Sequence, residues 1–236
     1  MTYSTPACEL FPKAGEALAI LVSGGLDSAI LLGDALEKRN VVYPLYVRQG
    51  LYWEESELSH LRHFLEELAG PALRSLRVLD LPVSDIYKGH WSLTGQGAPG
   101  ADSPDEAVFL PGRNILLLSK ALLWSHLNDI AWVALAPLGS NPFADATPEF
   151  FRSYESIVNR AMGGQVHVLR PYARMSKRDV MLRGRTLPLQ WTFSCIHPVN
   201  GHHCGQCNKC AERRRAFREA NILDVTVYET EGSCTA

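Results

Sequence analysis

The sequence predicts an α/β fold in which a parallel sheet carries helices on both faces and a small C-terminal region forms a zinc knuckle with helical structure. Three observations predict it: short apolar runs alternate with amphipathic stretches, a glycine- and serine-rich turn follows the first run, and four cysteines crowd into one C-terminal window. With 236 residues, the chain has room for one large domain and a small appendage. We expect residues 14–185 to form the α/β domain and residues 186–236 the C-terminal region.

Five apolar runs are typical of buried strands, and helical patterns lie between them. The predicted strands are Leu18–Val22, Val41–Val47, Leu76–Leu81, Ile130–Ala136 and Val166–Leu169. The predicted helices are Asp27–Lys38, Glu54–Leu68 and Asn114–Leu127. Because such alternation produces a parallel sheet, we expect ligands to bind at the carboxyl ends of its strands.

The composition is that of a soluble globular protein, with 46% hydrophobic and 20% charged residues. The net charge of −2 and the absence of long basic tracts predict no direct nucleic-acid binding. Met1–Pro12 lacks the pattern of a signal peptide, and no apolar run reaches the roughly 18 residues of a membrane span. We therefore expect a cytoplasmic protein without a membrane partner.

The stretch Tyr87–Asp105 is rich in glycine, serine and proline, which predicts a long mobile loop with a lid as one role. Its residues Gly95–Gly100 match G-x-G-x-x-G letter for letter. That motif binds dinucleotides only between a strand and a helix, and Pro99 opens no helix here. The match therefore indicates a flexible loop.

The turn after the first strand consists of Ser23-Gly24-Gly25-Leu26-Asp27-Ser28. The two glycines let the backbone approach a ligand closely, and the serines add hydroxyl donors. The helix that follows directs its unpaired N–H groups at the turn, which favours an anion such as phosphate. The alternative is an ordinary turn in which Asp27 or Ser28 caps the helix.

The same turn resembles the PP-loop, S-G-G-x-D-S, of the N-type ATP pyrophosphatases. The resemblance implies a Rossmann-like fold of the adenine nucleotide alpha hydrolase (HUP) type. It also implies that ATP is cut between its α- and β-phosphates, that pyrophosphate stays in the turn and that AMP passes to an acceptor. Asp27 is then a candidate contact of the Mg²⁺ that accompanies ATP.

The C-terminal window has the spacing C-x8-C-x2-C-x2-C, formed by Cys195, Cys204, Cys207 and Cys210. Four thiolates satisfy tetrahedral Zn²⁺ and leave no open position, so we predict one structural zinc ion per chain. An iron–sulfur cluster and metal-free thiols are the alternatives. His197, His202 and His203 are candidate substitute ligands, although four cysteines already complete the site. Basic side chains that follow at once offset the negative charge of the centre: Lys209, Arg213, Arg214 and Arg215. The remaining cysteines, Cys8 and Cys234, are interpreted as incidental thiols.

Together the two motifs resemble the QueC/ExsB family of 7-cyano-7-deazaguanine synthases in the queuosine pathway, from about Leu18 to Phe217. Further matches are Pro111-Gly112-Arg113-Asn114, Pro148-Glu149-Phe150 and the segment around Lys177. Singly, each has a structural explanation, such as a helix cap or a solvated lysine.

The resemblance implies that ATP activates 7-carboxy-7-deazaguanine as an acyl adenylate, that ammonia converts it into an amide, and that a second ATP yields the nitrile, preQ0. Lys177 and Arg113 are the candidates for offsetting phosphate charge. Asp145 is a candidate for Mg²⁺ or for the amino group of the acceptor. Free ammonia is expected because the chain has no room for a glutaminase domain and zinc holds the clustered cysteines. The resemblance also implies a homodimer.

Two segments depart from the family pattern. Val47–Trp53 stands where the family has G-Q-R-H, and Gly139–Asp145 stands in place of D-Y-S-G-Y-P-D. Alternatives therefore stay open: an enzyme that stops at the amide or uses another carboxylate or amine, a tRNA-modifying PP-loop enzyme, and a sensor of adenine nucleotides. Trp53, Phe143 and Phe193 are candidates for stacking on the base, although large aromatic residues more often belong to the core.

Overall fold

The computed structural model describes residues 11–229, so Cys8 and Cys234 lie outside the described residues. Five strands form one sheet: Ala17–Leu21 (β1), Val41–Arg48 (β2), Arg77–Asp80 (β3), Trp132–Ala134 (β4) and His167–Leu169 (β5). The helices are Leu26–Glu37 (α1), Glu54–Glu67 (α2), Ser84–Tyr87 (α3), Trp91–Thr94 (α4), Arg113–Leu127 (α5), Pro148–Met162 (α6), Lys177–Arg183 (α7) and Asn208–Ala220 (α8). Short 3-10 turns lie at Asp105–Val108, Ala144–Ala146, Gly184–Thr186 and Leu189–Trp191.

The sheet has the order β3-β2-β1-β4-β5, and every neighbouring pair is parallel. The chain moves outward from β1 on one side to β3, then crosses to β4 on the other side. This change of direction opens a crevice between the carboxyl ends of β1 and β4, where open α/β sheets bind their ligands. The predicted parallel α/β fold is confirmed, and its five predicted strands all form.

Side chains alternate along β1, as the pleat of a strand requires. Leu18 and Ile20 are fully buried against α1, α2 and α7, whereas Ala19 and Leu21 pack on the other face against α5 and α6. Both faces of the central strand are thus covered by helices. This double burial explains why the strand reads as an uninterrupted apolar run rather than as an alternating pattern.

The segment Tyr87–Asp105 differs from the predicted loop, because it contains the turn of helix α4 and reaches a 3-10 turn. The ring of Trp91 stacks on Trp53 at a centroid distance of 5.9 Å, and Ser92 is fully buried. The backbone oxygen of Pro99 accepts a hydrogen bond of 2.9 Å from the N–H of Asn208. The packing of Trp91 and the contacts with Asn208 therefore order a stretch whose composition indicates a loop.

Candidate active site

The turn Ser23–Ser28 lies at the carboxyl end of β1, with Gly24 in the left-handed region at φ +70°. The N–H of Ser23 donates to Oγ of Ser28 at 3.2 Å, and the two serine hydroxyl oxygens lie 3.3 Å apart. Helix α1 begins at Leu26, so Asp27 and Ser28 belong to its first turn and neither caps it. The residue before the helix is Gly25, which leaves the first N–H groups of α1 without a cap from that side chain.

A chain of alternating charges stands beside this turn. Nζ of Lys177 donates to both carboxylate oxygens of Asp27, at 2.9 and 2.8 Å, and lies 3.4 Å from Oε1 of Glu212. Nζ of Lys209 is 2.6 Å from Oε2 of the same glutamate. Three helices, α1, α7 and α8, therefore meet through two ammonium groups and two carboxylates.

The pKa shifts of Lys177 and Glu212 show how strongly these charges interact. Burial lowers the pKa of Lys177, but the carboxylates of Asp27 and Glu212 outweigh it and raise the pKa above its usual value. Burial raises the pKa of Glu212, but the ammonium groups of Lys209 and Lys177 outweigh it and bring the pKa to about 2. Lys177 and Glu212 are therefore both charged at neutral pH.

Three cavities surround the turn, with volumes of about 270, 190 and 240 Å³. The first lies at the crevice between β1 and β4, the second lies against the start of α1 and residues Phe193–Ile196, and the third lies towards α8. Asp27 lines all three. The residues common to the first and second cavities are Ser23, Asp27, Ser28, Glu57 and Arg113.

Arg113, the first residue of α5, lines the first and second cavities. Its Nε is buried and has no hydrogen-bond partner within residues 11–229. A buried guanidinium N–H without a partner costs free energy unless a ligand accepts from it. Arg113 is therefore well placed to meet an anion in these cavities.

Asp145, also predicted for the site, lines the first cavity and is 8% exposed. One of its carboxylate oxygens accepts a 3.0 Å hydrogen bond from the N–H of Asn114, and its backbone oxygen accepts from the Asn114 side chain at 2.9 Å. Asp145 thus supplies the negative charge that the N-terminus of α5 favours. Its second function, toward a ligand, stays a prediction.

Glu57 and Tyr46 are site residues that the sequence analysis did not find. The Tyr46 hydroxyl donates to Oε2 of Glu57 at 2.6 Å, and both residues line the first cavity. Burial raises the pKa of Glu57 to about 8, although the tyrosine hydrogen bond and Arg113 act in the opposite direction. The signal in the sequence was an acid that continues the buried stripe of α2, one residue before Leu58.

The three aromatic candidates have different positions. Phe143 lines the first cavity and contacts Phe109 at a ring-centroid distance of 4.9 Å. Phe193 and Trp53 are 0% and 3% exposed and belong to the core around the cysteines, although both also border the second cavity. Of the three, Phe143 alone has the surroundings of a residue that stacks on a ring in the first cavity.

The four clustered cysteines are buried and converge on one point, with their Sγ atoms all within 4.8 Å of one another. The Sγ atoms of Cys195 and Cys207 lie 3.8 Å apart, and those of Cys204 and Cys210 lie 4.0 Å apart. A zinc ion about 2.3 Å from each sulfur places neighbouring sulfurs about 3.8 Å apart, so the group fits a tetrahedral ion. Hydrogen bonds from the other thiols, Cys195 first, hold the pKa of Cys204 below its usual value.

The histidines proposed as substitute ligands do not belong to this cluster of metal-ligating atoms. Nε2 of His203 accepts a 3.1 Å hydrogen bond from the N–H of Ser194, and the ring packs on Phe193. Of the basic residues, Arg213 is buried and donates to Thr192 at 2.8 Å, while Lys209 faces the second cavity. Lys209 pairs with Glu212 at 2.6 Å, and its role in offsetting the charge of a metal centre stays a prediction.

A main-chain hydrogen bond joins the cysteine region to the turn Ser23–Ser28. The N–H of Phe193 donates to the backbone oxygen of Gly24 at 2.7 Å. Cys207 immediately precedes α8, the helix that carries Lys209 and Glu212 toward the cavities. The cluster therefore positions two elements of the candidate active site.

A comparison of the sequence with known families gives one match that covers most of the chain. The profile described as "Queuosine biosynthesis protein QueC" matches residues 17–221. This range includes the turn, the candidates Arg113 and Lys177, and all four clustered cysteines. The chain belongs to the QueC family. The resemblance found in the sequence is thereby confirmed.

Individual relatives support the same family assignment. The chain is 32% identical to the 7-cyano-7-deazaguanine synthase of Syntrophobacter fumaroxidans, over 89% of this chain and 94% of the relative. It is 30% identical to the protein of the same name from Polynucleobacter asymbioticus, over 92% of this chain and 94% of the relative. A solved 4-thiouridine synthetase–RNA complex with bound ATP matches with a TM-score of 0.50 and 15% identity, over 87% of this chain and 50% of that one, which supports the fold alone.

The described part of this QueC-family chain contains no helix that is both long and apolar enough to span a membrane.

Proposed function

We propose that the protein is an ATP-dependent carbon–nitrogen ligase that converts 7-carboxy-7-deazaguanine and ammonia into 7-cyano-7-deazaguanine. The observation that carries the proposal is the pair of cavities that share Ser23, Asp27 and Ser28, in a chain whose relatives are named for this synthesis. Two adjoining cavities suit a reaction that joins a nucleotide to a second, smaller molecule. Their position at the β1–β4 crevice is where this fold binds ligands.

The chemistry begins with a carboxylate, which is a poor electrophile because it would have to expel an oxide. Its attack on the α-phosphorus of ATP releases pyrophosphate and forms an acyl adenylate. Ammonia displaces AMP to give the amide. The amide oxygen attacks a second ATP, and the departure of AMP leaves the nitrile. The protein contributes mainly positioning and electrostatic stabilisation.

In this proposal the turn, with Gly24, Gly25 and the N-terminus of α1, holds the pyrophosphate part of ATP. Lys177 and Arg113 offset the phosphate charge, and Lys209 joins them from α8. Asp27 and Glu212 offer carboxylate oxygens, the ligands that Mg²⁺ prefers, on the wall of the second cavity. Asp145 serves the acceptor from the first cavity.

The four cysteines are proposed to hold one structural Zn²⁺ ion, because their number and spacing leave no open coordination position. A closed centre takes no part in the reaction. The same occupancy leaves none of the four as a nucleophile for glutamine, so the nitrogen source is free ammonia.

A homodimer and the lack of direct nucleic-acid binding also belong to this proposal. Sedimentation equilibrium tests the first. A tRNA gel shift at physiological salt tests the second and separates the enzyme from a tRNA-modifying PP-loop protein.

The decisive experiment is product analysis by mass spectrometry with ATP, Mg²⁺, 7-carboxy-7-deazaguanine and ammonium. We expect the nitrile, two AMP and two pyrophosphate per product. Asp27→Ala and Ser23→Ala variants that fold and retain zinc should form it far more slowly. Equal rates in these variants, or robust turnover with glutamine in place of ammonium, would contradict the proposal. Failure to release pyrophosphate with any acid would favour a nucleotide sensor.

A second candidate, an enzyme of the same chemistry that stops at the amide or uses a different carboxylate or amine, is favoured by one observation. The segment Gly139–Asp145 departs from the family pattern, yet Asn141, Phe143 and Asp145 all line the first cavity. Because this segment lines the first cavity, its departure from the family pattern would suit a different acceptor molecule. The same mass spectrum distinguishes the two, because the amide and the nitrile differ by one water molecule.

A further inference from the structure

Glu57 is a buried acid that no step described above uses. It lies in the first turn of α2, is 7% exposed and lines both the first and the second cavity. A Cβ built on Gly24 would lie only 3.1 Å from the Cγ of Glu57, so this side chain packs directly against the turn Ser23–Ser28. An acid at this junction faces the place where the contents of the two cavities meet.

The proposed reaction requires a proton acceptor at that junction. When ammonia attacks the acyl adenylate, a C–N bond forms, the C–O bond to AMP breaks, and AMP leaves with the electron pair. The nitrogen then carries one proton more than the amide needs. When the amide oxygen later attacks ATP, and again when AMP departs to leave the nitrile, the same nitrogen loses one proton. Each nitrogen-centred step therefore releases one proton into these cavities.

We propose that the Glu57 carboxylate is the catalytic group that accepts these protons from the acceptor nitrogen. This inference rests on the proposed function. One carboxyl oxygen, Oε2, is held by the Tyr46 hydroxyl at 2.6 Å, which fixes the orientation of the group. In each proton transfer the carboxylate becomes a neutral carboxylic acid and the nitrogen loses its positive charge or its N–H bond. The acid returns the proton to water through the cavity before the next transfer.

The surroundings suit this role. The charged and titratable groups that act on Glu57 are Tyr46 of β2, Glu54 of its own helix and Arg113 of α5, and Asp27 of α1 faces the same cavities. Burial raises the pKa of Glu57 to about 8, close to the working pH, where a general base is most effective. An acid with its ordinary pKa would be a weaker base.

The test separates the first half-reaction from the nitrogen chemistry. Pyrophosphate–ATP exchange with 7-carboxy-7-deazaguanine and no ammonia reports adenylation, and mass spectrometry after ammonium addition reports the amide and nitrile. In Glu57→Gln, which keeps the shape of the side chain, we expect exchange within about threefold of the parent and a fall of about 10²-fold or more in amide formation. Glu55→Gln, two residues earlier on α2 and exposed, is the matched control and should match the parent in both assays.

The pH profile provides a readout that a structural role would not move. At a constant concentration of un-ionised ammonia, amide formation by the parent should rise with a midpoint near pH 8 to a plateau above it, and the rise should be absent in Glu57→Gln. Because the Tyr46 hydroxyl lowers the pKa of Glu57, Tyr46→Phe should shift the midpoint to higher pH while retaining a plateau.

Each outcome is informative. If the parent forms neither amide nor nitrile, the proposed function fails, and this inference with it. If the parent is active and Glu57→Gln forms amide at the same rate, only the inference fails. It fails also if exchange and amide formation fall together, because Glu57 would then act on the turn rather than on the nitrogen.

Discussion

Both carboxylate oxygens of Asp27 accept hydrogen bonds from the ammonium group of Lys177, at 2.9 and 2.8 Å, across 150 residues of sequence. The pair joins the first turn of α1 to the first residue of α7. Asp27 places a negative charge beside a turn that is otherwise suited to phosphate, and Lys177 compensates it. On the proposed function, this compensation removes a repulsion that would otherwise act on the phosphates of ATP.

Lys177→Met should lower pyrophosphate–ATP exchange by about 10²-fold or more, because a partly buried positive charge beside the proposed phosphate site is lost and Asp27 is left without its partner. Asp27→Asn should also lower the rate, and the double variant should lose less than the product of the two effects, since the residues act as a unit. Lys38→Met, at an exposed lysine beyond the end of α1, is the control. Strictly multiplicative effects would contradict the coupling.

Gly24→Ala should abolish tight ATP binding and destabilise the protein. The residue has φ +70°, and the new Cβ would lie 3.1 Å from Cγ and 3.3 Å from the backbone oxygen of Glu57. Gly163→Ala is the matched control, since Gly163 has φ +65° and no atom within 4 Å of the new Cβ, so it carries only the backbone cost of about 1–2 kcal/mol. Thermal unfolding and ATP titration measure both effects. Equal losses in the two variants would show that the contact with Glu57 has no influence.

Cys204→Ser should remove the metal. The parent should contain one zinc ion per chain by elemental analysis, and the variant should contain almost none. We expect the variant to lose about 3–5 kcal/mol of stability, which lowers Tm by roughly 10 °C. A Cys8→Ser, Cys234→Ser double variant should retain the metal, because four other cysteines complete the centre. Iron in place of zinc in the purified parent would contradict the zinc assignment.

Glu57→Gln should raise stability in a manner that depends on pH. The pKa of Glu57 is raised from 4.5 to about 8 by burial, so the folded state retains a proton that the unfolded state loses. The stability of the parent therefore falls as pH rises from about 4.5 to about 8, whereas glutamine carries no such penalty. Below that window the two proteins should unfold alike. At pH 8 the variant should be more stable by an amount on the order of a few kcal/mol.

Denaturant unfolding at a series of pH values measures this difference. A gap that does not change with pH would show that burial of the Glu57 charge does not control it. The same substitution is expected to slow amide formation, so stability and activity should change in opposite directions.

The main elements of the fold could be predicted because each has a local cause. The run Leu18–Val22 is apolar on both faces, since helices cover both, and it matches β1 to within one residue at each end. The four cysteines could be predicted as one centre because their spacing is short. Composition alone failed for α4, where the packing of Trp91 on Trp53, far apart in sequence, decides the conformation.

The candidate site could be predicted only where a motif marks it. The turn Ser23–Ser28 carries its own signature, and Arg113 and Lys177 lie in segments that resemble the family. Glu57 and Lys209 do not, because a glutamate at an acidic helix start and a lysine between two cysteines both have ordinary local explanations. Their roles depend on which helices meet, and only the three-dimensional arrangement shows this.

The hydrogen bond from the N–H of Phe193 to the oxygen of Gly24 has a practical consequence. On the proposed function, nucleotide affinity should depend on metal content. Phe193, which donates to the proposed phosphate-binding turn, lies two residues before Cys195, the first of the four proposed zinc ligands. Protein purified under metal starvation, or after exposure to a chelator, would then score as catalytically defective although every side chain that touches ATP is intact. Kinetic comparisons between variants are meaningful only at matched zinc occupancy.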